Sequence, residues 1–160
     1  MKRYAKVLGL LLGVAVVVSS CDRNLYYSDN QSVNESGWGL DTPLEYEVEI
    51  TDTMQYFDIF IDLRNSVDYG FANTFLFITT TFPDSTFAKD TLECPLADET
   101  GRWYGKSSGR YVDNRYYFRR KVRFPQMGTY RFSIIHGMRS EKLEGLKDVG
   151  LRFEKHQDNN

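Results

Sequence analysis

The chain has 160 residues, with 20 Lys and Arg against 22 Asp and Glu, and it holds 11 Tyr and 11 Phe. A formal net charge of −2 excludes the cationic excess that nonspecific nucleic-acid binding needs. Two cysteines are too few for a disulfide-stapled miniprotein, and the length suffices for one domain with a proper core.

The first residues read as a secretion signal. Lys2, Arg3 and Lys6 form a cationic start, Val7 to Val18 is an almost unbroken apolar run, and Val18-Ser19-Ser20-Cys21 follows. A run of about a dozen residues is short for a bilayer span, which takes ~20 apolar residues. An apolar residue, two small residues and a Cys resemble the bacterial lipobox, in which the Cys thiol is diacylated and the chain is cut before it. Residues 1–20 are therefore expected to be a lipoprotein signal peptide, with lipid on Cys21. Two or three acyl chains hold a protein stably at a membrane surface, where one chain holds it only marginally. Cleavage removes Lys2, Arg3 and Lys6, so 17 basic residues then face 22 acidic ones, a net charge of about −5.

Residues 21–36 are polar and rich in Asn and Ser, which predicts a lipidated flexible tether. Residues 37–156 are predicted to form the folded body, and 157–160 a polar tail. Period-two alternation marks the strands. Tyr46, Val48 and Ile50 alternate with Glu45, Glu47 and Glu49. Phe57, Ile59, Ile61 and Leu63 alternate with Asp58, Phe60 and Asp62. Tyr130, Phe132 and Ile134 form a further run, as do Val149, Leu151 and Phe153. Phe71 to Phe82 is more continuously apolar, as a central strand would be. Turn signals such as Asp41-Thr42-Pro43, Pro83-Asp84-Ser85 and Pro125-Gln126-Met127-Gly128 separate the runs. The expected fold is all-β, an antiparallel β-sandwich of jelly-roll or Ig-like type. At most one short helix is expected, over Met138 to Lys147.

No pattern of catalytic or metal chemistry stands out. His136 and His156 are far apart and neither lies beside a Cys, so no zinc spacing is present. Gly-x-Ser-x-Gly and phosphate-loop patterns are absent. His136 is in phase with Phe132 and Ile134 and reads as a half-buried strand-end residue; His156 reads as exposed. Cys94 reads as a small buried residue. Exposed rings on a sandwich can stack on sugars, and Trp103-Tyr104 and Tyr116-Tyr117 are the candidates, although adjacent strand residues point to opposite faces. The basic run Arg119-Arg120-Lys121-Val122-Arg123 reads as a solvated strand face opposite the Glu-rich strand. No catalytic residue, metal ligand or cofactor is assigned.

Several segments together carry a resemblance. They are the lipobox, Trp38, Ile61-Asp62-Leu63-Arg64-Asn65, Tyr69 to Phe77, Asp90-Thr91-Leu92-Glu93, Leu96-Ala97-Asp98-Glu99-Thr100-Gly101-Arg102-Trp103-Tyr104-Gly105, and Gly145-Leu146-Lys147-Asp148-Val149-Gly150-Leu151. This combination resembles the gliding motility lipoprotein GldH family over nearly all of the mature chain. The resemblance implies a non-enzymatic cell-envelope lipoprotein, held at the outer membrane, that contacts proteins of the gliding machinery or its associated secretion machinery. Within the most specific stretch, Gly101 and Gly105 bracket Trp103, and Asp98 is placed to cap the turn. Asp98, Gly101, Trp103, Tyr104 and Gly105 are thus the candidate partner-binding residues. A glycan-binding lipoprotein is the alternative reading.

Overall fold

A computed structural model describes residues 23–157. Cys21, the signal peptide and most of the polar tail lie outside these residues. Two antiparallel sheets carry the fold. The first joins β1 (Leu25–Ser32), β11 (Leu146–Lys155), β4 (Tyr56–Ser66), β8 (Tyr111–Arg123) and β7 (Lys106–Ser108), in that spatial order. The second joins β3 (Leu44–Ile50), β9 (Gly128–His136), β5 (Asn73–Thr81) and β6 (Phe87–Pro95). A small ribbon pairs β2 (Trp38–Gly39) with β10 (Lys142–Leu143).

Alternation explains the packing. Phe57, Ile59, Ile61 and Leu63 of β4 and Val149, Leu151 and Phe153 of β11 are buried against Tyr46, Val48, Leu76, Ile78, Phe132 and Ile134 of the second sheet. Side chains opposite one another on two sheets fill one shared core, as in aligned sandwiches. Phe153 is its aromatic centre, with Phe57, Phe124 and Phe132 rings 5.6–6.0 Å away. Tyr46 donates from its hydroxyl to the Val149 carbonyl at 2.7 Å and ties the sheets together inside the core.

Two expectations are corrected, for the tether and for the basic run, and the one short helix allowed for does not form among the described residues. The polar segment 21–36 is not all tether, because β1 runs through it and pairs with β11 from Leu25↔Glu154 to Ser32↔Asp148. Its inward positions include polar residues: Gln31 donates to the Glu45 carbonyl at 2.6 Å, and Tyr26 and Tyr27 pack on Phe57 and Phe153. No helix spans Met138 to Lys147. Leu143 pairs with Trp38 in the ribbon, Gly145 takes φ +87°, and Leu146 already opens β11. The basic run does not face the Glu-rich strand. β3 pairs with β9, where Arg131 Nε donates to Glu47 at 2.7 Å and Ser133 Oγ donates to Glu45 at 2.6 Å. The basic run belongs to the other sheet, and a bulge there sets Lys121 at φ +48°. Arg120 consequently lies over the Tyr117 ring, while Arg119 reaches Asp90 of β6.

Register places the loops at two ends. The starts of β1, β4 and β9 and the finishes of β3, β8 and β11 share one end. The opposite end gathers the Leu96–Tyr104 segment, β7, the β2–β10 ribbon and the Val67–Ala72 loop.

Candidate functional site

The Leu96–Tyr104 segment is a small hairpin stitched by backbone bonds. Ala97 and Trp103 form a bridge, and Tyr104 N donates to the Leu96 carbonyl at 2.9 Å. Asp98 organises its tip. One carboxylate oxygen accepts from Thr100 N at 2.9 Å, Thr100 Oγ1 at 2.7 Å and Arg102 N at 3.0 Å, while the other accepts from Arg102 Nε at 3.1 Å. These donors, the Thr100 hydroxyl first and the Arg102 amide next, hold its pKa down at about 2. Gly101 at φ +81° supplies the left-handed residue that the turn requires. Trp103 is half-buried against the core, whereas Tyr104 is 61% exposed. Gly105 lies against β8: a Cβ there would stand 2.4 Å from both the Asp113 carbonyl and Asn114 Oδ1.

Beside this hairpin, the outer face of the five-stranded sheet holds a groove of about 470 Å³. Its lining includes Asn30, Asp62, Arg64, Asp113, Arg115 and Asp148. Arg64 Nε donates to Asp113 at 2.7 Å, and Arg64 Nη1 lies 3.5 Å from Asp148. The hydrogen bond to Asp113 raises the pKa of Arg64, with burial opposing it. Arg115 grips Asp62 with two bonds, Nε–Oδ1 at 2.6 Å and Nη2–Oδ2 at 3.1 Å, and lies 3.6 Å from Glu154. Gly150 occurs where β11 passes Asn30, and a Cβ at that point would meet Asn30 Oδ1 at 1.9 Å. The missing side chain lets Asn30 and Asp62 close over the strand. Half-exposed ion pairs of this kind contribute only ~0–1 kcal/mol each to stability. Their chief output is a fixed surface of alternating charge with planar guanidinium forks, suited to carboxylates and backbone carbonyls of a partner.

The groove and the hairpin are continuous. A shallower depression beside Tyr104 and Gly105 shares Asp113, Asn114 and Arg115 with the groove. Of the expected contact residues, Tyr104 and Gly105 border this surface. Asp98 and Gly101 shape the hairpin behind it, and Trp103 roots the hairpin in the core. Sequence reading did not single out Arg64, Asp113, Arg115 or Asp148 as a set. Their signal was the outward register of Asp62-Leu63-Arg64 and Asp148-Val149-Gly150, which means little until β4 is known to lie between β11 and β8.

The remaining polar residues settle into the fold. Cys94 is buried, and burial raises its thiol pKa to about 12, out of the range of a reactive thiolate. His136 is wholly buried, not half-buried as expected: Nε2–H donates to the Trp38 carbonyl at 2.9 Å, Nδ1 has no hydrogen-bond partner among the described residues, and burial lowers the pKa. His156 is not exposed as expected; it lies half-buried with Nδ1 2.8 Å from Asp58. Tyr116 and Tyr117 point to opposite faces, the former packed on the core and the latter exposed against Phe60. Among the described residues, no group of three or more His, Cys, Asp or Glu side chains is arranged to hold a metal ion. No helix of the described residues is long and apolar enough to cross a membrane.

Comparison with known proteins agrees with the resemblance read from the sequence. The family model described as GldH lipoprotein matches residues 25–153. The "Gliding motility lipoprotein GldH homolog" of Christiangramia forsetii is 33% identical over 147 residues, covering 88% of this chain and 90% of that protein. The "Gliding motility lipoprotein GldH" of Flavobacterium johnsoniae is 29% identical over 153 residues, covering 91% of this chain and 94% of that one. Among solved structures, a chain of infectious bursal disease virus, Gt strain, aligns with a TM-score of 0.36 at 13% identity. That alignment covers 87% of this chain and 35% of the viral one.

Proposed function

The chain belongs to the GldH lipoprotein family, and from that premise we propose that it is a non-enzymatic accessory of gliding motility or of the secretion machinery linked to it. It is a lipid-anchored cell-envelope protein by family. In this reading the lipid is carried on Cys21, the leaflet belongs to the outer membrane, and the body recruits another envelope protein by direct contact. One observation supports the contact reading above others. Segments far apart in the chain, Asp62 to Arg64, Gly105 and Asp148 to Gly150, are among those that carry the family resemblance, and they meet around one charged groove.

Sugar binding draws less support. Of the four rings nominated for stacking, Trp103 and Tyr116 are half-buried. Tyr117 is exposed but flanked by Phe60 and Arg120, and Tyr104 is the most exposed ring of the four.

The test is cross-linking and co-purification from the native envelope, comparing the unaltered chain with Arg64→Glu and Arg115→Glu. Loss of a recovered envelope protein by both folded variants, together with loss of motility, is expected. Undiminished recovery and motility in both would refute contact through the groove, and sugar capture on a glycan array in place of a protein would favour the alternative.

A further inference from the structure

The two ends of the sandwich differ in the chemistry they present, and the chain fixes which end lies nearer the anchor. Cys21 precedes Leu25, the first residue of β1, by four residues. Four extended residues reach at most ~14 Å at 3.3–3.6 Å each. The far end is a strand length away, about 36 Å for the 11 residues of β4.

At the near end the loops expose apolar side chains. Met54 is 70% exposed, Met127 66%, Leu25 40% and Tyr56 38%. Single exposed apolar residues are ordinary, but these four share the end from which the anchor leaves. Asp52 holds the first of them in place, since its carboxylate accepts from Met54 N at 2.8 Å and closes the turn that presents the side chain. Around them, Arg23, Lys121, Arg123 and Lys155 are exposed. Arg123 and Lys121 lie 5.7 and 5.9 Å from the Tyr56 ring centroid. The exposed acids nearby are Glu49, Asp52 and Asp84, and the last two accept hydrogen bonds within their own turns. The far end also exposes apolar groups, Tyr104, Phe71 and Leu40, but there the charge is mixed: the exposed acids Asp41, Asp68, Glu99, Glu141 and Glu144 are interspersed with Arg102, Lys106, Arg110, Arg139 and Lys142.

Thioether, aliphatic and phenol groups ringed by cations suit the boundary between anionic headgroups and acyl chains. We infer that the β1-start end docks directly on an anionic leaflet, with Met54, Met127, Leu25 and Tyr56 entering the interface and Arg23, Arg123, Lys121 and Lys155 on its phosphates. The anchor is then a short leash on a body already seated, and the charged groove side and the hairpin stand away from the bilayer. This docking rests on lipidation at Cys21.

The test uses the mature lipidated chain in vesicles of phosphatidylethanolamine and phosphatidylglycerol. One fluorophore is placed at Met54→Cys, Met127→Cys or, at the far end, Tyr104→Cys; the buried Cys94 stays unlabelled. Each variant is first shown to unfold at the unaltered chain's temperature. A nitroxide carried on the lipid headgroup should quench the labels at 54 and 127 several-fold more than the label at 104. Adding Arg123→Glu and Lys155→Glu should reduce that contrast. A chain that floats with the vesicles but is quenched equally at all three sites overturns the docking and leaves the anchor standing. A chain that does not float overturns both, whereas a Cys21→Ala chain that floats as well as the unaltered one overturns the anchor alone, because the docked face then holds the chain by itself.

Discussion

The two ends of the sandwich are built by different means. At the end where β1 starts, rings fill the space: Tyr26, Phe57, Phe124, Tyr130 and Phe153 stack and cross at 4.6–6.0 Å, and the loops outside them are short. At the other end, glycines and side-chain caps do the closing, with Gly101 and Gly145 in left-handed conformations, Gly105 pressed on β8, and Asp98 bonded to its own turn. An aromatic cluster tolerates variation in its outer surface, because burial has no direction. A turn held by hydrogen bonds and missing Cβ atoms fixes the position of each neighbouring side chain. Shape-dependent recognition belongs at the second kind of end, and most of the segments that carry the family resemblance are found there or on the adjoining face.

Substitutions can separate the two. The largest effect is expected from Phe153→Ala, which empties the centre of the ring cluster and should cost about 3–5 kcal/mol. Urea denaturation would measure it, and a loss under 1 kcal/mol would mean that the cluster is not the foundation of that end. Gly105→Ala should cost about 1–3 kcal/mol, because a methyl group there meets the Asp113 backbone carbonyl as well as the side chain of the buried Asn114. It should also lower partner recovery and leave membrane attachment intact; a variant with unchanged stability would show that the hairpin can slide on β8. A subtler distinction concerns His136, the buried link between β9 and the ribbon. Its folded pKa lies below the ordinary 6.5, so its neutral form is favoured on folding. The unfolded chain then takes up the proton first, and stability should hold above pH 6.5 and fall as the pH drops through 6.5 towards the folded value. His136→Gln should flatten that part of a pH series of denaturation midpoints. The smallest expected effect is at Asp98, whose depressed pKa means that its turn holds above the ordinary carboxylate range and loosens only as pH falls towards about 2. The Thr100 and Arg102 amide shifts should titrate with that midpoint, and Asp98→Asn should alter those amides without altering global stability.

Much of this architecture is legible in the chain. β3, β4, β9 and β11 announce themselves by alternation, because each has one face on the core and one in water. Cys94 and the opposed Tyr116 and Tyr117 fall where residue type and period two put them. β1 does not announce itself. It is an edge strand whose inward face includes Asp29 and Gln31, and Gln31 is satisfied by the Glu45 carbonyl of the facing sheet, so composition makes the segment look like a linker. The groove is hidden for another reason. Arg64 meets Asp113 and Asp148 only because β4 has both β8 and β11 as neighbours, and strand order is a long-range property that no local pattern encodes. The hairpin at Asp98 was readable because all its bonds are local.

The pairing of β1 with β11 has a consequence in time. β1, the first strand described, finds its partner in one begun more than a hundred residues later, and β11 also supplies one whole edge of β4. Until β11 is available, β1 has nothing to pair with and the core stays open on one side. Such distant pairings fold slowly. The first described strand is therefore among the last to be secured, and the first sheet is completed only when both ends of the described chain have met.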